Sequence, residues 1–286
     1  MCRLFAYAHG GSALAMRAAL DAAVLDQFHS LSDVHRDGWG FAALGPGGRS
    51  HYVSNKSAVS DAAVFRALTE GDLTSCIIHE RLASPGIDLG LDNQQPFVSR
   101  GIAFAHNGTI SNAEGNIVLR PSSYREALGL VLSTTMSDSR LYADLFLKQL
   151  DKISVSPPGG PFLPGQEELV EALSASIRLL RRDFPDASYN CVIQTQAFTA
   201  IVRSHTAEPV YSEGLRRIYE KAGWADRIDS YYAIRYASLT SSDGSTTSVA
   251  SSSGYPASDG WPTLENDSVL LIAHRDASLQ VMPLNG

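Results

Sequence analysis

A handful of residues in the first half of this sequence carry side chains that can do chemistry together. Cys2 directly follows Met1. Aminopeptidases remove methionine ahead of a small residue, which leaves a thiol and a free α-amine on Cys2. An α-amine titrates near 7.7–8.0, so about a tenth or more is neutral at pH 7. The neutral amine can take the thiol's proton and later return one to a leaving group. Asn107-Gly108 ends an apolar run. The pair is a turn signal, and equally a side-chain amide and a backbone N–H able to converge on one oxyanion. Arg81 ends another apolar run, where it either grips a carboxylate bidentately or serves as a surface cation. Asp138 stands where a helix opens and either complements the helix dipole or binds an ammonium group. Gly38 and Gly40 flank Trp39 at a strand entry, which permits close backbone approach or a tight turn around a core tryptophan. His79 reads first as a hydrogen-bonded structural histidine.

These residues need elements to hold them. Cys2–Ala8 reads as a strand with Leu4 and Ala6 on one face and Arg3, Phe5 and Tyr7 on the other. Ser12–Phe28 reads as a helix rich in alanine and leucine. Trp39–Leu44 and His51–Asn55 flank Gly45-Pro46-Gly47-Gly48, a hairpin signal. Asp61–Thr69 reads as a short helix, and Ser75–Arg81 and Ile102–His106 as buried strands. Ser137 can cap a helix running to about Leu150. A second helix spans Gln166–Phe184, with its acids early and its bases late, as the dipole favours. Strands are expected over Cys191–Thr195, Ala197–Arg203, Tyr231–Tyr236, Val269–His274 and Leu279–Pro283. Residues 240–254 hold ten serines and threonines and read as a flexible surface loop. Strands, then helices, then strands, with no βαβ alternation, predict an α+β fold of antiparallel sheets covered by helices.

Composition narrows the classes. The 286 residues carry a net charge of −7, which argues against nucleic acid or anionic lipid as partner. No apolar run approaches the roughly 20 residues of a membrane span. Leu4–Ala8 is ended by His9, Gly10 and Gly11, so the N-terminus reads as mature sequence rather than a signal peptide. Three cysteines make no even disulfide framework, and a reducing cytoplasm is the expected compartment. The eight histidines form no His-x-x-x-His pair, and neither metal nor cofactor is expected.

Taken in order, the motifs resemble those of the class II glutamine amidotransferases, a branch of the N-terminal nucleophile hydrolases. Met-Cys-Arg-Leu-Phe opens the chain, and Asp37-Gly38-Trp39-Gly40 is similar to the Asp-Gly-Trp-Gly of the stand-alone subgroup. His79-x-Arg81-x-Ala83-Ser84 resembles His-x-Arg-x-Ala-Thr, and Asn93-Gln94-Gln95-Pro96-Phe97 resembles Asn-x-His-Pro-Phe. His106-Asn107-Gly108-Thr109-Ile110-Ser111-Asn112 and Ser137-Asp138-Ser139 complete the set, all within about residues 1–150. Gln95 stands where the family usually has histidine. Leu82 and Pro85 stand where synthase relatives have tryptophan and histidine.

The resemblance implies a four-layer αββα sandwich of two antiparallel sheets, formed by a single domain over residues 1–286. It implies that Cys2 attacks a γ-glutamyl amide carbonyl and that the Asn107 side chain and the Gly108 N–H hold the oxyanion. Arg81, helped by Ser84, would bind the α-carboxylate, and Asp138 the α-ammonium. Loops after Ser111 and near Gly38 and Trp39 would read the leaving side. The thioester would then be hydrolysed to glutamate. No phosphate loop or nucleotide fingerprint accompanies the motifs. The preferred expectation is therefore a stand-alone hydrolase of small γ-glutamyl substrates, similar to the ergothioneine-pathway γ-glutamyl hydrolase. The alternatives are a glutaminase subunit that hands ammonia to a separate synthetase, and a catalytically inactive binding relative. A homo-oligomer or a synthetase is the expected protein partner.

Overall fold

Strand β1 (Arg3–Gly10) is buried almost throughout, and its two faces serve two different cores. Leu4, Ala6 and Ala8 meet small residues of a second sheet, including Ala103, Ala105 and Val192. Phe5 and Tyr7 pack instead with Met16, Leu25, Phe28 and Phe65. A strand covered on both faces loses polar alternation and reads as a continuous apolar run. The computed structural model that shows this describes residues 2–20, 22–83, 88–110, 137–154, 162–205, 213–225, 228, 231–252 and 260–284.

The strands are β1, β2 (Trp39–Gly45), β3 (Gly48–Ser54), β4 (Ser75–Glu80), β5 (Phe97–Ser99), β6 (Ile102–Asn107), β7 (Asn190–Gln194), β8 (Phe198–Arg203), β9 (Ile234–Thr240), β10 (Thr246–Ser252), β11 (Ser268–Ala273) and β12 (Leu279–Pro283). They form two six-stranded sheets, ordered β3-β2-β4-β1-β10-β9 and β12-β11-β8-β7-β6-β5. The ladders are antiparallel, with Leu4 opposite His79 and Asn107 opposite Asn190. The helices are α1 (Met16–Ala19), α2 (Ala22–Ser30), α3 (Ala62–Thr69), α4 (Asp138–Ile153), α5 (Gln166–Asp183) and α6 (Glu213–Lys221). The first three contribute to the core outside the first sheet, and α4 and α5 to the core outside the second. Helices, sheet, sheet and helices give the expected α+β layering. Among the described residues no helix is long and apolar enough to cross a membrane.

Two expectations are corrected. The single helix over 12–28 is interrupted: Leu14 bridges Leu73, α1 has four residues, and Leu20 is extended at φ −119° and ψ 151°. Backbone pairing to Leu73 outweighs helix propensity there. The Ser/Thr-rich stretch is not a loop within its described part. Residues 246–252 form β10, paired to β1 on one side and β9 on the other, behind a tight turn at Gly244 (φ +83°). Its hydroxyls are satisfied inside the fold. Ser248 donates to the Ala277 carbonyl (2.5 Å), and Ser252 Oγ accepts from Leu4 N (2.9 Å). Small side chains whose polar atoms are paired can be buried between sheets at little cost. Strand β5 and helix α6 are additional elements that the sequence pattern did not mark.

Candidate active site

Cys2 lies at the head of β1, with 6% of its surface exposed. Its backbone nitrogen donates to Asn107 Oδ1 at 2.9 Å. Cys2 leads into the first sheet and Asn107 ends β6 in the second, so this bond links the two sheets at one end of the sandwich. The other half of the Asn107 carboxamide, Nδ2, is buried without a hydrogen-bond partner among the described residues. Leaving a buried donor unpaired costs about 1–3 kcal/mol. The next residue has no room for a side chain. A Cβ on Gly108 would lie 2.3 Å from the Ser188 carbonyl oxygen and 2.6 Å from His106 Nε2.

His106 fixes the approach to this corner. Its Nε2 is 2.8 Å from the Ser188 carbonyl oxygen, which can only accept, so Nε2 carries the proton. Nδ1 then accepts from the Ser139 hydroxyl at 2.9 Å. Burial lowers the pKa of His106, against the pull of Asp138. His106 N donates to Gln95 Oε1 at 2.6 Å.

Arg81 follows β4 and is 3% exposed. Its Nη2 donates to the Asp88 carbonyl at 3.0 Å, while Nη1 is buried with no partner among the described residues. Asp37-Gly38 holds this stretch from the side. Arg81 N donates to the Gly38 carbonyl (2.8 Å), Asp37 N to the Arg81 carbonyl (2.9 Å), and Ala83 N to Asp37 Oδ2 (2.9 Å). Asp138 opens α4, capped by Ser137, and its Oδ2 accepts from Ile110 N at 2.7 Å. Asn93 ties that cap to the rest, its Oδ1 accepting from Ser137 N at 2.9 Å. Cys2, Arg81, Gly108 and Asp138 line one cleft with Asn93 and Gln95.

A family model described as "Glutamine amidotransferases class-II" matches residues 1–126. That span holds Cys2, Arg81, Asn107 and Gly108 but not Asp138. No curated protein matches the chain. Several solved structures share its fold. The structure of an allosteric regulatory enzyme of purine biosynthesis has a TM-score of 0.60 at 17% identity. A glutamine phosphoribosylpyrophosphate amidotransferase from B. subtilis has a TM-score of 0.57 at 16% identity. Each comparison covers 99% of this chain and 49% of the other, so the chain spans about half the length of these two enzymes. A glutamine aminotransferase class-II domain protein from Silicibacter pomeroyi aligns over 100% of both chains, with a TM-score of 0.54 and 15% identity.

The structure separates the site residues drawn from the class II motifs into two groups. Cys2, Asn107, Gly108, Arg81 and Asp138 come together at one end of the sandwich. Trp39 does not join them. It packs in the core between the first sheet and its helices, near Tyr52 and Phe65, and its indole N–H donates to Asp61 (3.2 Å). Gly38 supports the site through its backbone. A Cβ there would lie 2.2 Å from Gln94 Oε1, and its φ is +136°. Ser84 lies outside the described residues. Asn93 and Gln95, which belong to the Asn-Gln-Gln-Pro-Phe motif but take no role from the sequence, also line the cleft. Cys76 and Cys191 are buried, and burial pushes both thiols up, Cys191 to about 12, so neither is a nucleophile.

Near Cys2, on the helix-facing side of β4, Glu80 is fully buried opposite Arg3 and Trp39. Neither carboxyl oxygen has a hydrogen-bond partner among the described residues. Burial pushes its pKa well above the ordinary carboxylate value, with Arg3 opposing. The folded acid therefore keeps its proton while the unfolded chain releases it above about pH 4.3. The unfolded state then binds fewer protons, so stability falls as pH rises from there towards the raised pKa. Glutamine cannot titrate. Glu80→Gln is expected to raise Tm at pH 8 by about 2–4 °C and to change it little at pH 4. Equal shifts at both pH values would exclude this account.

Proposed function

We propose that this chain is an N-terminal cysteine amidohydrolase that cleaves a γ-glutamyl amide and releases glutamate. The observation that carries the reading is the Asn107 carboxamide. Its oxygen is held by Cys2 N, its Nδ2 is buried and unpaired among the described residues, and the charges of Arg81 and Asp138 share the adjoining cleft. The class II match over residues 1–126 supports it.

With Met1 removed, the neutral α-amine takes the thiol proton and the sulfur attacks the γ-carbonyl. Asn107 Nδ2 and the Gly108 N–H stabilise the oxyanion. The α-ammonium returns its proton to the departing amine, leaving a thioester. Water, deprotonated by the same amine, adds to that thioester. Collapse frees glutamate and restores the thiol. A free glutamyl end is zwitterionic. Arg81, with Ser84, takes the carboxylate, and Asp138 takes the ammonium. A stand-alone hydrolase of small γ-glutamyl conjugates is the preferred reading, with the cytoplasm as the preferred compartment. A second reading, a glutaminase subunit serving a separate synthetase, draws support from the half-length coverage of the two larger enzymes.

Two measurements test this together. Intact mass reports whether Met1 is gone, and a panel of γ-glutamyl amides is scored by released glutamate. Glutamate from conjugates favours the hydrolase. Glutamine turnover that rises on adding a synthetase favours the second reading. No glutamate from any member, with Met1 absent, would overturn both. Arg81→Ala is expected to raise KM about 30-fold or more for substrates with a free α-carboxylate, the scale of losing one partner of a buried charge pair. An equal loss on α-amide analogues would make Arg81 structural.

A further inference from the structure

Tyr231 and Tyr232 precede β9 and touch both sheets at the end where Cys2 meets Asn107. Arg3, the residue after the nucleophile, donates from Nη1 to the Tyr231 carbonyl at 2.9 Å. Its guanidinium lies 3.7 Å from the centre of the Tyr231 ring. On the other side, Asn190 Nδ2 donates to the Tyr232 carbonyl at 3.0 Å. Asn190 is the register partner of Asn107 across β6 and β7, and its Oδ1 accepts from Ser204 N at 2.8 Å. Arg3 and Asn190 are each fully buried. The strap is itself anchored by packing. Tyr231 stacks edge-on against Tyr219 at 5.7 Å, Tyr219 reaches His35 Nε2 through its hydroxyl at 3.0 Å, and Tyr232 stacks on His205 at 5.3 Å.

We infer that the Tyr231–Tyr232 strap is a positioning device for the reaction: through Arg3 and Asn190 it sets the separation between the nucleophile and the oxyanion amide. The inference rests on the reading of Cys2 and Asn107 as the reacting pair. The physical reason is leverage. The sheets carrying β1 and β6 are tied directly at this end by the Cys2–Asn107 bond, whose donor becomes the catalytic amine. A bond that must change protonation during turnover is a poor spacer. The strap supplies two bonds that take no part in the chemistry, one to the neighbour of each reacting residue. A loss of registry of about 1 Å between reacting groups can cost on the order of 10² in rate.

The test compares wild type, Arg3→Met, Arg3→Lys, Asn190→Ser and the double variant Arg3→Met/Asn190→Ser. Arg3→Met and Asn190→Ser are each expected to lower kcat about 10- to 100-fold, with KM within about twofold. Arg3→Lys, which keeps a donor at this site, should recover part of the loss. Because both side chains act through one strap, the double variant should lose little more than the worse single variant. Labelling of Cys2 by 6-diazo-5-oxonorleucine, which needs the glutamyl site, should slow in parallel, while alkylation by iodoacetamide should not. If Arg3→Met fails to fold, Asn190→Ser alone carries the same kcat and labelling readouts. Unchanged kcat in the folded variants, or multiplicative losses in the double, would overturn the inference. A wild-type protein that neither turns over γ-glutamyl amides nor takes the diazo reagent would instead overturn the functional reading beneath it.

Discussion

Cys2→Ala is expected to abolish glutamate release, with a loss on the order of 10⁶ as for a deleted nucleophile. The fold should survive. Alanine is small enough for methionine removal to proceed, so the α-amine and its bond to Asn107 Oδ1 remain. The substitution removes a single sulfur from a residue at the edge of a cleft, and that sulfur makes only a long contact, 4.0 Å, to the Leu82 carbonyl among the described residues. What goes is the only group at this position that can form a thioester. Cys76 and Cys191 cannot replace it, since both lie buried away from the cleft with thiols held protonated. The measurement is released glutamate at saturating substrate, alongside Tm. Substantial residual turnover with an unchanged Tm would mean that the chemistry does not run through Cys2. A Tm collapse would assign the residue a structural role that the observed contacts do not suggest.

Parts of the fold were legible because their pattern is local. The short apolar run over Leu4–Ala8, the glycine-rich turn between β2 and β3, and the cap at Ser137 each need only their own segment to declare themselves. Strand β10 was not legible. Its serines and threonines look solvated until Leu4 and Ala277, distant in sequence, arrive to pair their hydroxyls. The segment over 12–28 misled for the same reason, since a bridge to Leu73 decides where the helix can start. In the site the contrast is sharper. Residues proposed to react, such as Cys2 and Asn107, are visible by chemical type. Residues that hold them are not. Gln95 acts through His106 N and Asn93 through Ser137 N; the motif marks both positions, but not the backbone groups they hold. For Trp39 the two readings of its flanking glycines divide: it packs in the core, and Gly38 and Gly40 leave room for Gln94 and Gln95 to lie against them.

Asn107→Ala is expected to lower kcat about 10²- to 10³-fold, the cost of removing one oxyanion donor. Alanine also removes the acceptor for Cys2 N, so this variant alone does not separate anchoring from oxyanion stabilisation. Asn107→Asp does. Aspartate preserves the shape and keeps an oxygen for the α-amine. It replaces the unpaired Nδ2 donor with a second acceptor, charged or not according to pH. If Asn107 serves only to anchor Cys2, Asp should retain most activity where Ala loses it. If Nδ2 faces the developing oxyanion, Asp should be at least as impaired as Ala, because a negative oxygen opposes the charge that the transition state builds. The second outcome is expected, since among the described residues Nδ2 is buried without a partner while Oδ1 is given to Cys2. The decisive comparison is kcat for Ala against Asp at a pH where the substrate is unchanged, with KM as control. A loss confined to KM in both variants would reduce Asn107 to the turn residue that the Asn-Gly pair first suggests.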